Sequence, residues 1–511
     1  MENKRVRVRF APSPTGGLHM GGVRVALFNY LFAKKHGGDF ILRIEDTDQT
    51  RFVEGAEQYI INSLKWCGIE PNEGVGFGDG PHAPYRQSER KEKGIYKKYA
   101  DQLVAGGHAY YAFDTAEELE EMRKRLEAAK VAAPQYNAVS RQNMRNSLTL
   151  SEDEVKKLMD AGTPYVIRLK VPRNEEIRFH DIIRGWVVVN SSQVDDKVLL
   201  KSDGMPTYHL AHIVDDIEMK ISHAMRGEEW LPSAPAHILI YRYLGLEAEM
   251  PQLAHLPLIL KPDGHGKLSK RDKSGLPMFP LNWHDPRDNQ DYVGYRETGF
   301  FPEAFTNMLV LLGWNPGNNK EIMTREEMIQ LFSLERINKA GAKFDPEKTK
   351  WFNQQYLRMK SDEELADLFM PQLKEHGVEA SKDFVIKVCK LVKEKAHFVN
   401  EFWSLSSFIF ETPKGWEAAV LEKRLTPENY AFIGKLKTAL AALNSFTAAE
   451  TEACVKATAT AENIPPGQIM QLFRVVITGV GGGPALYEIM ELIGKEESIK
   501  RIDNFLEKNK I

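Results

Sequence analysis

Within its first thirty-five residues the chain changes period once, and that change restricts the fold more than any other feature. Arg5, Arg7 and Arg9 alternate with Val6, Val8 and Phe10, the two-residue period of a strand with one face toward a core. Val23, Leu27, Tyr30 and Leu31 then recur at helical spacing. Between them lies a turn rich in glycine and proline, Ala11-Pro-Ser-Pro-Thr-Gly-Gly-Leu-His-Met-Gly-Gly22. A second strand reads through Asp39-Phe-Ile-Leu-Arg-Ile44 and ends on Glu45-Asp46-Thr47-Asp48, before an amphipathic stretch through Ile60, Leu64 and Trp66. This alternation predicts a parallel α/β sheet. Ligands of such sheets bind beyond the carboxyl ends of the strands, where both turns fall.

The first turn invites comparison with phosphate loops, since glycine lets backbone amides approach phosphate oxygens at a helix N-terminus. Its spacing fits neither the nucleoside-triphosphatase loop nor the dinucleotide fingerprint. A second candidate is the basic run Lys267-Leu-Ser-Lys-Arg271, which follows Asp263-Gly-His-Gly266. A histidine opening a helix on one side and a basic loop on the other can flank an α-phosphate and stabilise charge during adenylyl transfer. Singly these signals are weak, because a histidine among glycines is usually a turn and a basic run usually a solvated surface.

At 511 residues the chain is long enough for several domains. Its 42% hydrophobic and 27% charged residues are those of a globular protein. A net charge of -3 excludes a generally basic nucleic-acid coat, yet 68 Lys and Arg can still gather on one face. Cys67, Cys389 and Cys454 are far apart, which suggests neither a disulfide framework nor a thiolate zinc site and points to a reducing compartment. The N-terminus has no apolar signal core, and the most apolar run, 305–314, is too short to span a bilayer. The expectation is a cytoplasmic protein with no membrane partner.

From about residue 85 the pattern changes to an inserted unit, with a capping box at Thr115/Glu118 and Leu119, Met122 and Leu126 on one helical face. Strand-like runs follow at 165–171, 185–190 and 197–200, and the α/β pattern resumes through 209–216 and 221–230. Beyond 324 the reading is helical, with capping boxes at Thr324/Glu327 and Ser361/Glu364. Gly481-Gly-Gly-Pro484 reads as a turn between two helices.

In order, these segments resemble the bacterial glutamyl-tRNA synthetase family, class I aminoacyl-tRNA synthetases. Leu18-His-Met-Gly-Gly22 is similar to the HIGH motif and Lys267-Leu-Ser-Lys-Arg271 to the KMSKS loop. Ala11-Pro-Ser-Pro-Thr-Gly16, Leu42-Arg-Ile-Glu-Asp-Thr-Asp48, LLKSDGMPTYHLAHIVDD from Leu199 to Asp216, and Arg226-Gly-Glu-Glu-Trp230 continue the resemblance over about the first 320 residues. Phe473-Arg-Val-Val-Ile-Thr-Gly479 is the best match further on. The resemblance implies a Rossmann-like parallel sheet in two parts, 1–84 and 196–323. The second part includes the stem-contact region that carries KLSKR. An inserted α+β acceptor-stem-binding unit at 85–195 and an all-α anticodon-binding region of two subdomains at 324–511 complete it.

It implies activation of L-glutamate with ATP, and transfer of the glutamyl group to tRNA specific for glutamate. His19 and Lys270 would be catalytic. Met20 and Gly22 depart from HIGH and leave His19 as the motif's imidazole. Ser13, Thr15, Gly21, Gly22, Glu229, Leu260, Lys267 and Arg271 would join them around ATP, with Gly21 and Gly22 letting adenine lie close to the backbone. Glutamate must be told from glutamine by charge, and a guanidinium, which only donates, favours a carboxylate. The family pattern places such groups at Arg9 and Arg226, with Ala11, Ser13, Glu45, Tyr208 and His212 completing the amino-acid site and Glu45 facing the ammonium. His209 and His212 lack a third ligand motif, so packing is expected there instead of a metal. Many relatives bind zinc in the inserted unit; here Ala112 and Asp114, with Ser140 and Gln142 after Tyr136, stand where ligands would be. No structural zinc is expected, and Mg²⁺ enters only with ATP. A monomer is implied.

Rival readings fit less of the chain. Glutaminyl-tRNA synthetases open with a Pro-Glu-Pro-Asn type sequence, a shorter tRNA-modifying relative lacks the anticodon region, and small-cofactor nucleotidylyltransferases lack the Glu45 and Arg226 segments. A tRNA-binding scaffold would have no use for His19, Lys270, Arg9 and Arg226 together.

Overall fold

The computed structural model describes residues 5–269, 272 and 275–510. Two compact units are present: Met1–Thr298 with Pro302–Thr349, and Gly299–Phe301 with Lys350–Ile511. In the first, strands β1 (Arg7–Phe10), β2 (Asp39–Leu42) and β3 (Glu73–Gly74) form a parallel sheet in that order. The inserted segment contributes β4 (Ala109–Ala112), β5 (Val166–Leu169), β6 (Glu176–Asp181) and β7 (Gly185–Asn190), and β8 (Val198–Leu200) follows just after it. The parallel pattern returns with β9 (His223–Gly227) and β10 (Gln252–Leu256), which pair in parallel.

The Ser222 amide donates to the Arg7 carbonyl at 2.9 Å, and the Arg7 amide donates to Ser222 Oγ at 2.9 Å. These bonds set β9 beside β1, so the strands run β3-β2-β1-β9-β10. The reversal of strand order falls between β1 and β9, which is where open α/β sheets bind ligands.

Helix α1 (Met20–Lys35) returns from β1 to β2. Val23, Leu27, Phe28, Leu31 and Phe32 are all buried, because the helix packs on the sheet and also against Pro302–Leu311 and Arg325–Leu331. Each such side chain contributes roughly 1.5–3 kcal/mol of burial. The apolar run at 305–314 is thus core. Helix α2 (Ala56–Trp66) follows the Glu45 turn, and α3 (Tyr208–Glu218) and α4 (Ala234–Tyr243) flank β9 in sequence.

Strands β6 and β10 lie beyond the strands expected from sequence. β6 alternates buried Ile177, Phe179 and Asp181 with exposed Glu176, Arg178 and His180, which is a period-two signal, but its last inward position is a carboxylate. β10 is short, and its apolar run is interrupted by His255, itself fully buried. In both, a polar side chain occupies a core position, which weakens the hydrophobic pattern a strand is read from.

β4, β5 and β8 make a separate antiparallel sheet. The Thr115/Glu118 capping box forms. In this unit Asp114 accepts from Tyr136 Oη at 2.9 Å and the Arg145 amide at 2.7 Å, and Ser140 Oγ donates to the Gln135 carbonyl at 2.8 Å. Ala112 joins Tyr110, Met122, Tyr136 and Met144 in a small apolar core. Below them Asp196, fully buried, accepts from Tyr110 Oη, Arg141 Nη1 and the Val171 amide at 2.6, 3.0 and 3.1 Å.

The second unit is helical from Lys350 onward among its described residues. One core gathers Leu357, Phe369, Val388 and Phe402; another gathers Phe432, Leu436, Phe473 and Phe505. The capping box at Ser361 forms, as does the one at Thr324 in the first unit. Gly481-Gly-Gly-Pro484 is the turn between Pro466–Thr478 and Leu486–Lys508. Among the described residues no helix is long and apolar enough to cross a membrane.

Asp196→Ala leaves Arg141 and two further donors buried without their acceptor, a change that costs about 3–5 kcal/mol. The expected result is loss of hydrogen-exchange protection across β4 and β5 with the parallel sheet unaffected; equal protection in both proteins would contradict this account of the unit.

Candidate active site

The glycine turn after β1 and the acidic turn after β2 are tied together by the backbone, the Glu45 amide donating to the Pro12 carbonyl and the Val53 amide to the Pro14 carbonyl, each at 3.0 Å. They open on a cavity of about 640 Å³ at the carboxyl ends of β1, β2, β9 and β10. It is lined by Arg9, Ala11, Ser13, Thr15, His19, Gly21, Gly22, Glu45, Tyr208, His212, Arg226, Glu229 and Lys267, all expected from sequence. Leu260 does not line it. Its side chain lies over Gly341, where an added Cβ would be 2.7 Å from Leu260 Cγ, and Leu258, Ile259 and Leu268 occupy the wall instead. Lys270 and Arg271 lie outside the described residues.

His19 is the N-cap of α1, and its Nδ1 accepts from the Gly21 amide at 3.1 Å. The neutral ring therefore carries its proton on Nε2, a donor not used by the cap. Surrounding protein and the Lys267 ammonium push its pKa down to about 4. A Cβ at Gly21 would come within 3.0 Å of the His19 ring, and one at Gly22 within 2.5 Å of Leu18 Cδ1. The glycines thus make room for the histidine as well as for any ligand on the helix. Lys267 Nζ pairs with Glu229 Oε1 at 3.0 Å across the cavity mouth. Arg287 closes the turn from outside, donating to the Thr15 carbonyl at 2.5 Å while Asp285 holds its other nitrogens.

Deeper in, charge is arranged around Asp216. Its Oδ1 accepts from Arg9 Nε at 2.9 Å and Arg43 Nη1 at 2.8 Å, and its Oδ2 from Arg9 Nη2 at 3.2 Å. Burial by itself would raise this carboxyl, but Arg9 and Arg43 outweigh it and hold it well below the carboxylate range. Arg43 Nη2 donates to Glu45 Oε1 at 3.0 Å. Arg9 Nη2 also donates to His212 Nε2 at 3.0 Å. Since a guanidinium cannot accept, His212 carries its proton on Nδ1 and donates it to Glu45 Oε1 at 3.1 Å. Burial pushes His212 down to about 4, so it is a neutral spacer between cations and Glu45.

Arg226 differs from the other arginines. Its Nε donates to His255 Nε2 at 3.0 Å and its Nη1 to Tyr208 Oη at 2.6 Å, with His212 and His237 nitrogens at 3.3–3.5 Å. Every partner is neutral, and among the described residues no ion pair reaches it within 4.0 Å, although it is only 6% exposed. A buried guanidinium with an open side toward a cavity and no carboxylate is a site for an anionic ligand.

Arg43, Asp181, Asp216, His237 and His255 escape the sequence reading. Asp216 stands at i+4 from His212 and Arg43 two residues before Glu45, which are the positional signals. Asp181, His237 and His255 lie on separate strands and a helix, where the fold brings them together. Among the described residues, no group of three or more His, Cys, Asp or Glu is placed to hold a metal ion.

Residues 5–351 match the model of the class I tRNA synthetase catalytic domain for glutamate and glutamine, and residues 364–506 match an anticodon-binding domain. The chain belongs to the class I tRNA synthetases of that group. It is 55% identical to the glutamate–tRNA ligase of Cytophaga hutchinsonii over 98% of this chain and 97% of that protein. It is 53% identical to the one from Parabacteroides distasonis over 99% of both. Its structure is similar to the crystal structure of a glutamate tRNA ligase from Elizabethkingia meningosepticum in complex with its amino acid, with a TM-score of 0.94, 49% identity and 99% of each chain covered. Family membership accounts for the Rossmann-like sheet and the helical second unit.

The pKa of His212 in the synthetase sets one stability expectation. An ordinary value of 6.5 in the unfolded chain and about 4 in the folded one mean that the unfolded chain binds more protons between these values. Stability therefore falls as pH drops through that window and this contribution is constant below it. Melting or denaturant curves from about pH 7 to 4 should show a fall smaller in His212→Asn by up to roughly 3 kcal/mol; an identical slope would place the imidazole outside this environment.

Proposed function

We propose that this synthetase is a glutamate–tRNA ligase. It activates L-glutamate with ATP to glutamyl-adenylate and pyrophosphate, then transfers the glutamyl group to the terminal adenosine of tRNA specific for glutamate, releasing AMP. The observation that carries the reading is Arg226, a buried cation that lines the cavity and whose protein partners are all neutral. A side-chain carboxylate there completes an ion pair. Glutamine would leave the cation uncompensated and turn an amide nitrogen toward donors, the kind of mismatch on which polar sites discriminate most strongly.

The remaining assignments follow the chemistry. Glu45 accepts the substrate ammonium; Arg9, Ala11, Ser13, Tyr208 and His212 frame the amino acid. The α-carboxylate then attacks the α-phosphorus of ATP in line with departing pyrophosphate. His19 Nε2–H lies at the helix N-terminus to donate to phosphate oxygen, and Lys267, released from Glu229, meets the triphosphate with Lys270 and Arg271. Ser13, Thr15, Gly21, Gly22 and Glu229 surround the nucleotide. Mg²⁺ would arrive with ATP and neutralise phosphate charge, held mainly by phosphate and water. In the second step a ribose hydroxyl attacks the glutamyl carbonyl carbon and AMP leaves. No protein nucleophile is required, because positioning and charge stabilisation supply the acceleration. The helical second unit is the anticodon reader, and the protein works as a cytoplasmic monomer.

Glutamate-dependent ATP–pyrophosphate exchange, with and without tRNA specific for glutamate, tests the reading. Exchange is expected with glutamate and tRNA and not with glutamine; absence of exchange under all conditions would overturn it. Arg226→Ala removes at least two charge-assisted bonds of about 1.5–3 kcal/mol each, so kcat/KM for glutamate should fall at least roughly 100-fold. Full activity in that variant would remove Arg226 from the site.

A further inference from the structure

Arg226 can select a carboxylate only if its planar fork points one way, and the means of fixing it lies behind the cavity. Asp181 ends β6, His255 stands in β10 and Arg226 in β9, and the backbone register pairs His255 directly with Arg226. Asp181 and His255 are both fully buried, and neither lines the cavity. Asp181 Oδ1 accepts from the Ile183 and Arg184 amides at 2.9 and 2.8 Å. Its Oδ2 accepts from the His255 amide at 3.0 Å and from His255 Nδ1 at 2.6 Å. Three backbone amides thus lock the carboxylate, leaving it no rotation. An ionised carboxylate only accepts, so His255 Nδ1 must carry the ring proton, and Nε2 presents a lone pair to Arg226 Nε at 3.0 Å.

We propose that Asp181 and His255 are positioning residues for amino-acid choice: a two-step relay, carboxylate to imidazole to guanidinium, that fixes Arg226 so that its outer nitrogens face the substrate carboxylate. The inference rests on the glutamate reading of the site. With Nε held by His255 and Nη1 by Tyr208, the guanidinium cannot turn about its long side chain, and its fork is preorganised before substrate arrives. The relay is also neutral where it meets Arg226. A carboxylate in direct contact would satisfy the cation and remove the reason for a ligand carboxylate to bind, whereas an imidazole orients it and leaves its charge uncompensated. Burial lowers the His255 pKa, which favours this neutral form.

The two amide replacements of histidine separate the two halves of the relay. Asparagine can reach Asp181 as Nδ1 does but presents nothing to Arg226; glutamine can present its oxygen to Arg226 where Nε2 stood. In tRNA-supported exchange, His255→Asn should raise KM for glutamate roughly 10–100-fold, the loss of one charge-assisted bond and its alignment, with KM for ATP unchanged. His255→Gln should recover most of that loss. Equal effects of the two variants, or parallel shifts in KM for ATP and glutamate, would reduce His255 to a packing role and overturn the proposal. A parent protein without glutamate-dependent exchange would instead overturn the functional reading itself. Should the variants fold poorly, ¹⁵N spectra of the histidines in the unaltered protein decide: a His255 ring protonated on Nδ1 supports the relay, and one protonated on Nε2 refutes it.

Discussion

Asp216 is the interaction on which the site depends. One carboxylate at the end of α3 takes donors from Arg9 on β1 and from Arg43 just beyond β2, and so it ties the first α/β segment to a helix that follows the whole inserted unit. Burying it costs several kcal/mol before any pairing, and two guanidiniums repay that only because both meet it at hydrogen-bonding distance. Remove it and two buried cations at adjacent strand ends repel each other. The geometry of Arg9 and Glu45, and through His212 that of Arg226, rests on this anchor.

From that anchor outward, the site alternates charge with neutral spacers. His212 lies between Arg9 and Glu45, and its proton position is dictated by the cation on one side and the anion on the other. Tyr208, His237 and His255 are the neutral partners of Arg226, and His255 has the Asp181 carboxylate on its other side. Neutral acceptors let several arginines share a small volume without each being cancelled by its own carboxylate. The result is a pocket in which one guanidinium is placed but not neutralised, and that difference between orientation and compensation is what selectivity for an anionic side chain requires.

The catalytic-sheet logic was legible because it is local. The period change after β1, the two turns, the capping boxes at Thr115, Thr324 and Ser361, and the residues flanking those turns are written in short runs. The resemblance of such runs to the synthetase family singles out His19, Arg9, Glu45 and Arg226, and the structure brings them to one cavity. What could not be read there is long-range. Asp181 and His255 occupy inward strand positions that pattern reading assigns to apolar residues, so the same substitution that hid β6 and β10 also hid the groups behind Arg226. Leu260, adjacent in sequence to the wall residues Leu258 and Ile259, packs its side chain over Gly341.

The glycine turn carries two demands that a single residue type meets. A ligand approaching the N-terminus of α1 needs backbone amides without intervening Cβ atoms, and the His19 cap needs the space above Gly21 for its own ring. An alanine at 21 would therefore act twice, crowding the approach and pushing the imidazole from the cap that holds its Nδ1 as an acceptor. Losing that cap would free the ring to expose either nitrogen, and the donor on Nε2 would no longer be assured. The fixed tautomer of His19 and that of His255 arise in the same way, each set by the hydrogen bond that Nδ1 makes within the protein. In this site the residues facing substrate are chosen for what they offer, and those behind them for removing every alternative.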